Sequence, residues 1–471
     1  MCFLPSTQMM TMNLQRRTWG LVSLSTLLLG GCAGPLLATD TDRPPIVFVH
    51  GNGDSAALWQ ATLWRFESNG WPSERLHAID VPYPLARDAD NKDQAGRTST
   101  AEHMAFLRAE VQAVLSRTGA KQVVLVGNSR GGNAIRNFVC NAGGSAVVSH
   151  AILGGTPNHG VQAIPGLNEA NEFSGTGPFL RQLNAPKNAQ GDEVCGPTRW
   201  MTIRSDNNDK YAQPDGLWLG MKGKPTLVGL DGPELKGAVN VVIPRIDHRE
   251  TSYSKPAFEA THRFITGRTP QLTIHKQAEV VLNGKLVGMG VDPLDAASGN
   301  FVNNLPLTGA RLEVFRTDPL SGQRVGAAAH VHTVGADGYW GPFKARSDAT
   351  YEFVIQANGY ATTHIYRSAF PRSSQLMHMR PERASEADRA AQSVLSFIRP
   401  RGYFDPGRDA MSLDGQSTLP GVPPGAGSAS SRLRWNDATQ RSVVGVFNGE
   451  KVVGLTWPMG QGHTTVLELT D

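Results

Sequence analysis

Val123-Val124-Leu125-Val126-Gly127-Asn128-Ser129-Arg130-Gly131 is the stretch on which the reading of this chain turns. Its first four residues are all apolar, which suits a short strand buried on both faces, as in a parallel sheet. The next five match the pattern G-x-S-x-G. A serine at a sharp strand-to-helix turn sits in a strained backbone conformation, and glycines on both flanks relieve the crowding. Asn133 to Cys140 reads as the helix that such a turn requires. The bland alternative is a glycine-rich turn with an idle serine.

Working outward, Ile46-Val47-Phe48-Val49 is a second wholly apolar run, and it ends in His50-Gly51-Asn52-Gly53. Met104, Leu107, Val111 and Val114 recur at helical spacing, which predicts a helix over 100–118. Ala151-Ile152-Leu153, Met201-Thr202-Ile203 and Val239 to Ile243 read as later strands. Strands alternating with helices indicate an α/β fold, a mostly parallel sheet flanked by helices, over residues 44–268. Beyond 269 the pattern changes to strand-like segments parted by Gly/Asp/Asn turns, such as Arg311 to Phe315 and Tyr351 to Ile355. Residues 271–380 are therefore expected to form an antiparallel β-sandwich, or a barrel, and 381–471 a β-rich C-terminal domain. Within the latter, 382–393 is helix-compatible and the Gly/Pro/Ser-rich stretch 414–431 reads as an exposed loop.

A serine nucleophile needs a base and an acid that orients it. His248 follows the strand-like run ended by Pro244, in Asp247-His248-Arg249-Glu250-Thr251, and is the candidate base. His262 falls in a helical pattern from Lys255 to Thr266, and His159 is expected in a pocket wall. The acid should lie on the loop after Met201 to Arg204, where Asp209 is the first candidate and Asp206 the alternative. The one not used would be a turn-former. The developing oxyanion needs two donors, for which the backbone N–H groups of Arg130 and Asn52 are the candidates. The segment 158–198, with Phe173, Phe179 and Leu180, is long for a connection and reads as a lid or pocket wall.

The 471 residues include 45 Lys and Arg against 41 Asp and Glu, with no basic run, so nothing argues for a nucleic-acid partner. Residues 1–32 read as an export signal: Arg16-Arg17 precede an apolar run from Trp19 to Leu29 that is too short to span a bilayer. The run ends in Leu29-Gly30-Gly31-Cys32, similar to a bacterial lipobox, which would make Cys32 a lipidation site and give the protein a membrane anchor. A plain signal cut near Ala33 or Ala38 is the alternative, and 33–43 reads as a tether. Export to an oxidising compartment makes a Cys140–Cys195 disulfide the expectation, with two buried thiols as the alternative.

Together these residues resemble bacterial lipases of the α/β-hydrolase superfamily. Val49-His50-Gly51-Asn52-Gly53 is similar to the H-G-x-G oxyanion loop, Gly127 to Gly131 to the nucleophile elbow, and Gly155-Thr156-Pro157-Asn158-His159-Gly160 to a G-T-P-H-x-G segment. In the last of these, Asn158 displaces the histidine by one position. Lys210-Tyr211-Ala212-Gln213-Pro214 after Asp209 is similar to the pattern that follows the acid in many lipases. The plan also resembles archaeal lipases with a C-terminal β domain. The resemblance implies an exported serine esterase or lipase acting on acyl-ester or lipid substrates through an acyl-enzyme, without a cofactor or metal. A polyester (polyhydroxyalkanoate-type) depolymerase is the alternative, and a non-catalytic surface-binding protein is the reading from another class.

Overall fold

Six short strands lie side by side in one parallel sheet: β1 (Ile46–Val49), β2 (Leu76–Ile79), β3 (Val123–Asn128), β4 (Val148–Gly154), β5 (Arg199–Arg204) and β6 (Val239–Val242). Their spatial order is β2-β1-β3-β4-β5-β6. The chain reverses direction across the sheet between β1 and β3. Loops leaving those two strands therefore diverge and open a crevice at the carboxyl ends, the usual place for a site in such sheets. The computed structural model describes residues 43–212, 221–224, 226–295 and 297–470. The expected export signal, Cys32 and all of the tether but its last residue lie outside the described residues.

The runs are wholly apolar because helices cover both faces of the sheet. On one face Ile46, Phe48, Val124 and Val126 pack with Phe66 of α1 (Gln60–Ser68). On the other, Val47, Val49, Leu125 and Ala151 meet Leu107 and Val111 of α2 (Thr100–Thr118) and Ile135 of α3 (Arg130–Asn141). A capping box formed by Ser99 and Glu102 starts α2, and Gly119, at φ 65°, ends it. Two more short helices are α4 (Pro178–Leu183) and α5 (Glu250–Tyr253). Phe258 of α6 (Lys255–Thr266) completes the first face. The edge strand β2 was not expected; only Leu76 and Ile79 of its four residues are buried, so its apolar signal is weak. At the other edge β6 leaves Val239 and Val242 exposed.

The C-terminal region adds β7 (Glu279–Leu282), β8 (Val287–Met289), β9 (Val302–Pro306), β10 (Arg311–Thr317), β11 (His330–Thr333), β12 (Phe343–Arg346), β13 (Thr350–Gln356) and β14 (Thr362–Arg367). After the single turn α7 (Glu386–Arg389) come β15 (Ser393–Ile398), β16 (Met411–Leu413), β17 (Ser430–Trp435), β18 (Ser442–Phe447), β19 (Glu450–Leu455) and β20 (His463–Glu468). One seven-stranded sheet, β11-β10-β13-β14-β20-β15-β17, joins both parts of this region. The division expected at 380/381 therefore runs through a single sheet. The strand pairs within 271–380 are antiparallel as expected, while β20, from the C-terminal part, lies between β14 and β15 and parallel to both. Alternate residues point to opposite faces. Phe353, Ile355, Ile365 and Val466 pack toward the β7/β12 ribbon, while Tyr366, Leu395, Phe397 and Leu467 pack toward the β16-β18-β19 sheet. The helix expected over 382–393 is only the four residues of α7. The expected exposed loop 414–431 buries Leu419 and Ala426, and β17 begins within its last two residues.

The two halves share their cores. Trp64 of α1 packs among the β-region residues, and Leu376 packs among those of the parallel sheet.

Candidate active site

Ser129 leaves β3 with φ 52° and ψ −122°, a backbone state that L-residues rarely adopt. Its N–H donates to the Gly154 carbonyl at 2.8 Å, which fixes the turn. The glycines are there for close approach. A Cβ on Gly131 would lie 2.5 Å from the Val49 carbonyl oxygen, and one on Gly127 would lie 2.7 Å from Ile135 Cδ1. Asn128 ties the turn to the loop that follows β6: its amide donates to the carbonyl of His248 at 3.1 Å and to Thr251 Oγ1 at 3.2 Å. The Thr251 hydroxyl in turn donates to the His248 carbonyl at 2.8 Å.

His248 Nδ1 lies 2.9 Å from Asp209 Oδ2, and both side chains are buried. A carboxylate accepts only, so Nδ1 carries the proton in this pair. The other oxygen of Asp209 accepts the Tyr211 N–H at 2.9 Å. The Tyr211 ring meets the imidazole edge-on, with centroids 4.5 Å apart. On the far side Gly155, at φ 57°, leaves room for the ring; a Cβ there would be 3.1 Å from His248 Nδ1. Asp206 is placed elsewhere. Its Oδ1 accepts the N–H groups of Asn208 and Arg245, each at 3.1 Å, so it shapes the loop and does not touch the histidine.

Ser129 and His248 face one cavity of about 280 Å³, which Asn52, Pro157, Phe173 and Val228 help to line. Among the described residues, His248 Nε2 and the Ser129 hydroxyl make no hydrogen bond. The N–H of Arg130, as the first residue of α3, has no acceptor within its helix. Asn52 is held by its side chain, whose Oδ1 accepts the Ala86 N–H at 2.7 Å. Next to it Gly51 passes so close to the turn that a Cβ would be 3.0 Å from Ser129 Cβ. His50 secures this loop from below. Its Nε2 accepts the Val81 N–H at 3.0 Å, so Nδ1 must be the donor to the Gly51 carbonyl at 2.9 Å. Burial lowers the His50 pKa and keeps the ring neutral.

The segment 158–198 is a fastened wall. Val161, Gln162 and Phe173 line the cavity. Behind them the buried Arg130 guanidinium grips Glu172 with two bonds, at 2.9 and 2.8 Å. Arg136 donates to the carbonyls of Asn158 and Leu183, and Cys140 and Cys195 form a disulfide. His159, expected in the pocket wall, is turned away and pairs with Glu193 at 3.0 Å. Sequence reading passed over His50 as a ring anchor, Asn128, Glu172 and Tyr211. For Asn128 the signal was available, since it occupies the variable position directly before the serine. Glu172 had none, because its partner is 42 residues away.

A family model described as Lipase (class 2) matches residues 43–177, and one described as Lipase C-terminal domain matches 278–384. A non-heme haloperoxidase of Rhodococcus erythropolis is 27% identical over 114 residues, which is 24% of this chain. The chain spans 37% of the length of that curated relative. Among solved structures, the mature form of the Bacillus licheniformis lipase BlEst2 is 21% identical over 48% of this chain and 92% of its own, at TM-score 0.35. Its propeptide form is 15% identical over 89% of this chain and 95% of its own, at TM-score 0.34. The Bacillus subtilis carboxylesterase CesB is 15% identical over 48% and 85%, at TM-score 0.27. Structural likenesses this low leave the assignment to the two family models. Residues 43–177 thus match a class 2 lipase model and 278–384 a lipase C-terminal domain model, on a parallel sheet flanked by helices and followed by an all-β region, which is the architecture of an α/β-hydrolase fold with a β-rich C-terminal region.

Proposed function

We propose that this protein is an exported serine carboxylic-ester hydrolase that works through an acyl-enzyme on Ser129. The carrying observation is that a strained, glycine-flanked serine faces the same cavity as a histidine held 2.9 Å from a buried aspartate. Ser129 Oγ attacks the ester carbonyl carbon while His248 Nε2 takes its proton. Asp209 keeps Nδ1 protonated and stabilises the imidazolium that forms. The oxyanion is received by the N–H groups of Arg130 and Asn52. His248 returns the proton to the departing alcohol. It then activates the water that releases the acid and frees Ser129.

The apolar wall of Pro157, Val161, Phe173, Tyr211 and Val228 suits the acyl chain of a discrete ester, which ranks this reading above the polyester depolymerase. Export is supported by the Cys140–Cys195 disulfide, a bond that persists in oxidising compartments, and by the apolar run before Cys32. Lipidation of Cys32 would then tether the enzyme to a membrane.

The test is hydrolysis of p-nitrophenyl esters across acyl lengths, with Ser129→Ala as control. Activity that vanishes in the variant supports the reading, and the acyl length at the maximum separates lipase from esterase. A folded wild-type protein inert to every ester, or a Ser129→Ala variant as active as wild type, would overturn it. Faster release from polyester films than from any soluble ester would favour the depolymerase.

A further inference from the structure

The loops that carry His248 and Asp209 are not held by the parallel-sheet half alone. A segment of the C-terminal region, residues 399–409, lies against both, and neither family model reaches it. Asp247, directly before His248, has no exposed surface. Its Oδ1 accepts the N–H groups of Arg249 and Glu250, at 2.8 and 2.9 Å, and so shapes the loop. Its Oδ2 is taken by the C-terminal region: Arg399 Nη1 donates to it at 2.9 Å and the Tyr403 N–H at 2.7 Å. The second nitrogen of Arg399 reaches Glu250 at 2.7 Å, and Arg408 reaches the other oxygen of Glu250 at 2.6 Å. On the acid loop, the Asn208 amide donates to Asp405. Lys210, next to Asp209, lies over the Tyr403 ring at 4.5 Å. These bonds between the two halves cross 149 to 197 residues of chain.

We propose that Arg399 and Asp405 are positioning residues for the hydrolytic site: the segment 399–409 clamps the histidine loop and the acid loop in register, so the lipase fold is catalytically incomplete without its C-terminal region. The inference rests on the proposed roles of His248 and Asp209. Asp247 acts as the bolt, since one carboxylate both forms the loop and receives the clamp. Removing Arg399 takes the nearest cation from a buried carboxylate one residue from the imidazole, leaving it only backbone N–H donors and Arg408 at 3.9 Å, and the loop relaxes to resolvate it. A shift of about 1 Å in a reacting group is enough to lower turnover on the order of 100-fold. Substrate contacts are untouched, because neither Arg399 nor Asp405 lines the cavity.

The experiment uses the full chain and five proteins: wild type, Arg399→Met, Arg399→Lys, Asp405→Ala and, for assignment only, His248→Asn. Two readouts are taken at 25 °C, after near-UV circular dichroism shows that each is folded. The first is kcat and KM on a p-nitrophenyl ester. Arg399→Met should lose roughly 10- to 100-fold in kcat with KM within about threefold, and Arg399→Lys should recover part of it. Asp405→Ala, which frees the acid loop and the Gly407 N–H but leaves Arg399 on Asp247, should lose less. The second readout needs no turnover: the downfield proton resonance of His248 Nδ1–H bonded to Asp209, assigned by its absence in His248→Asn. It should broaden or vanish in Arg399→Met. A melting temperature that falls while kcat and this resonance stay at wild-type values would make the segment merely structural and overturn the proposal. A wild type that shows the resonance but hydrolyses no ester would instead overturn the proposed function, and the resonance would still decide the clamp.

Discussion

Among the described residues, and apart from the Asp80–His378 pair between the halves, each half contains a buried carboxylate–histidine pair of its own, and the two differ in what the second ring nitrogen meets. In the parallel-sheet half, Asp209 holds His248 at 2.9 Å and the ring turns toward a cavity shared with Ser129. In the β region, Glu352 holds His364 at 2.6 Å, but the Nε2 of His364 is 2.8 Å from His463. Trp457 stacks on His364 with centroids 4.0 Å apart, and Arg324 and Tyr366 complete the carboxylate's shell. Burial lowers the His364 pKa and keeps that ring neutral. The geometry of the pair is similar in both places. What separates the proposed base from a core fixture is a second ring nitrogen not bonded to another side chain, a cavity shared with the proposed nucleophile Ser129, and space there for a substrate.

The comparison can be broken most severely at the nucleophile. Ser129→Ala should lower kcat on the order of 10⁶-fold, as loss of a triad serine does elsewhere, without lowering the melting temperature. Next, Asp209→Asn should cost roughly 10⁴-fold in kcat, since the wrong tautomer is then favoured, while Asp206→Asn should stay within about tenfold. Parallel ester assays decide between them, and equal losses would dissolve the distinction. Glu352→Gln tests the other half. It should destabilise by roughly 1–3 kcal/mol in urea unfolding, the cost of weakened buried hydrogen bonds, and leave kcat near wild type at 25 °C. A large fall in kcat would mean that the second pair is coupled to the site.

Two smaller effects concern the frame. Cys140→Ser should destabilise by about 4 kcal/mol, the chain-entropy value for a loop of 55 residues, with the wall at Phe173 loosened. Asp80, between the halves, supplies a pH test. Burial alone would raise its pKa, but His378, Lys285 and the Ala56 N–H outweigh burial and hold the carboxyl well below the usual range. Such a depressed group contributes stability above its unfolded pKa of about 4, and that stability is lost as pH falls below it. Melting temperature followed from pH 5 to 2 should drop more steeply in wild type than in Asp80→Asn. Parallel curves would remove Asp80 from the account.

Much of the parallel-sheet half was legible because its signals are local. β1 and the core of β3 are unbroken apolar runs, since both of their faces are covered. The limits of α2 match the expected helix because its core-facing residues recur at 3.6-residue spacing and Ser99 and Gly119 cap it. The β region was legible as strands but not as a sheet. β20 is the last strand in sequence yet lies at the sheet's interior, between β14 and β15, and no pattern within its six residues announces its neighbours.

By itself the sequence determined the strand-turn-helix around Ser129 and the placing of candidate loops after β1, β5 and β6. Burial periodicity and turn chemistry act over a few residues, so they can be read from a few residues. Only the tertiary structure decided that Asp209, and not Asp206 three positions earlier, meets His248. It alone showed that Arg399 reaches Asp247 across 152 residues. Which of two like side chains faces a partner depends on how distant loops are packed together, and that information is spread over the whole fold.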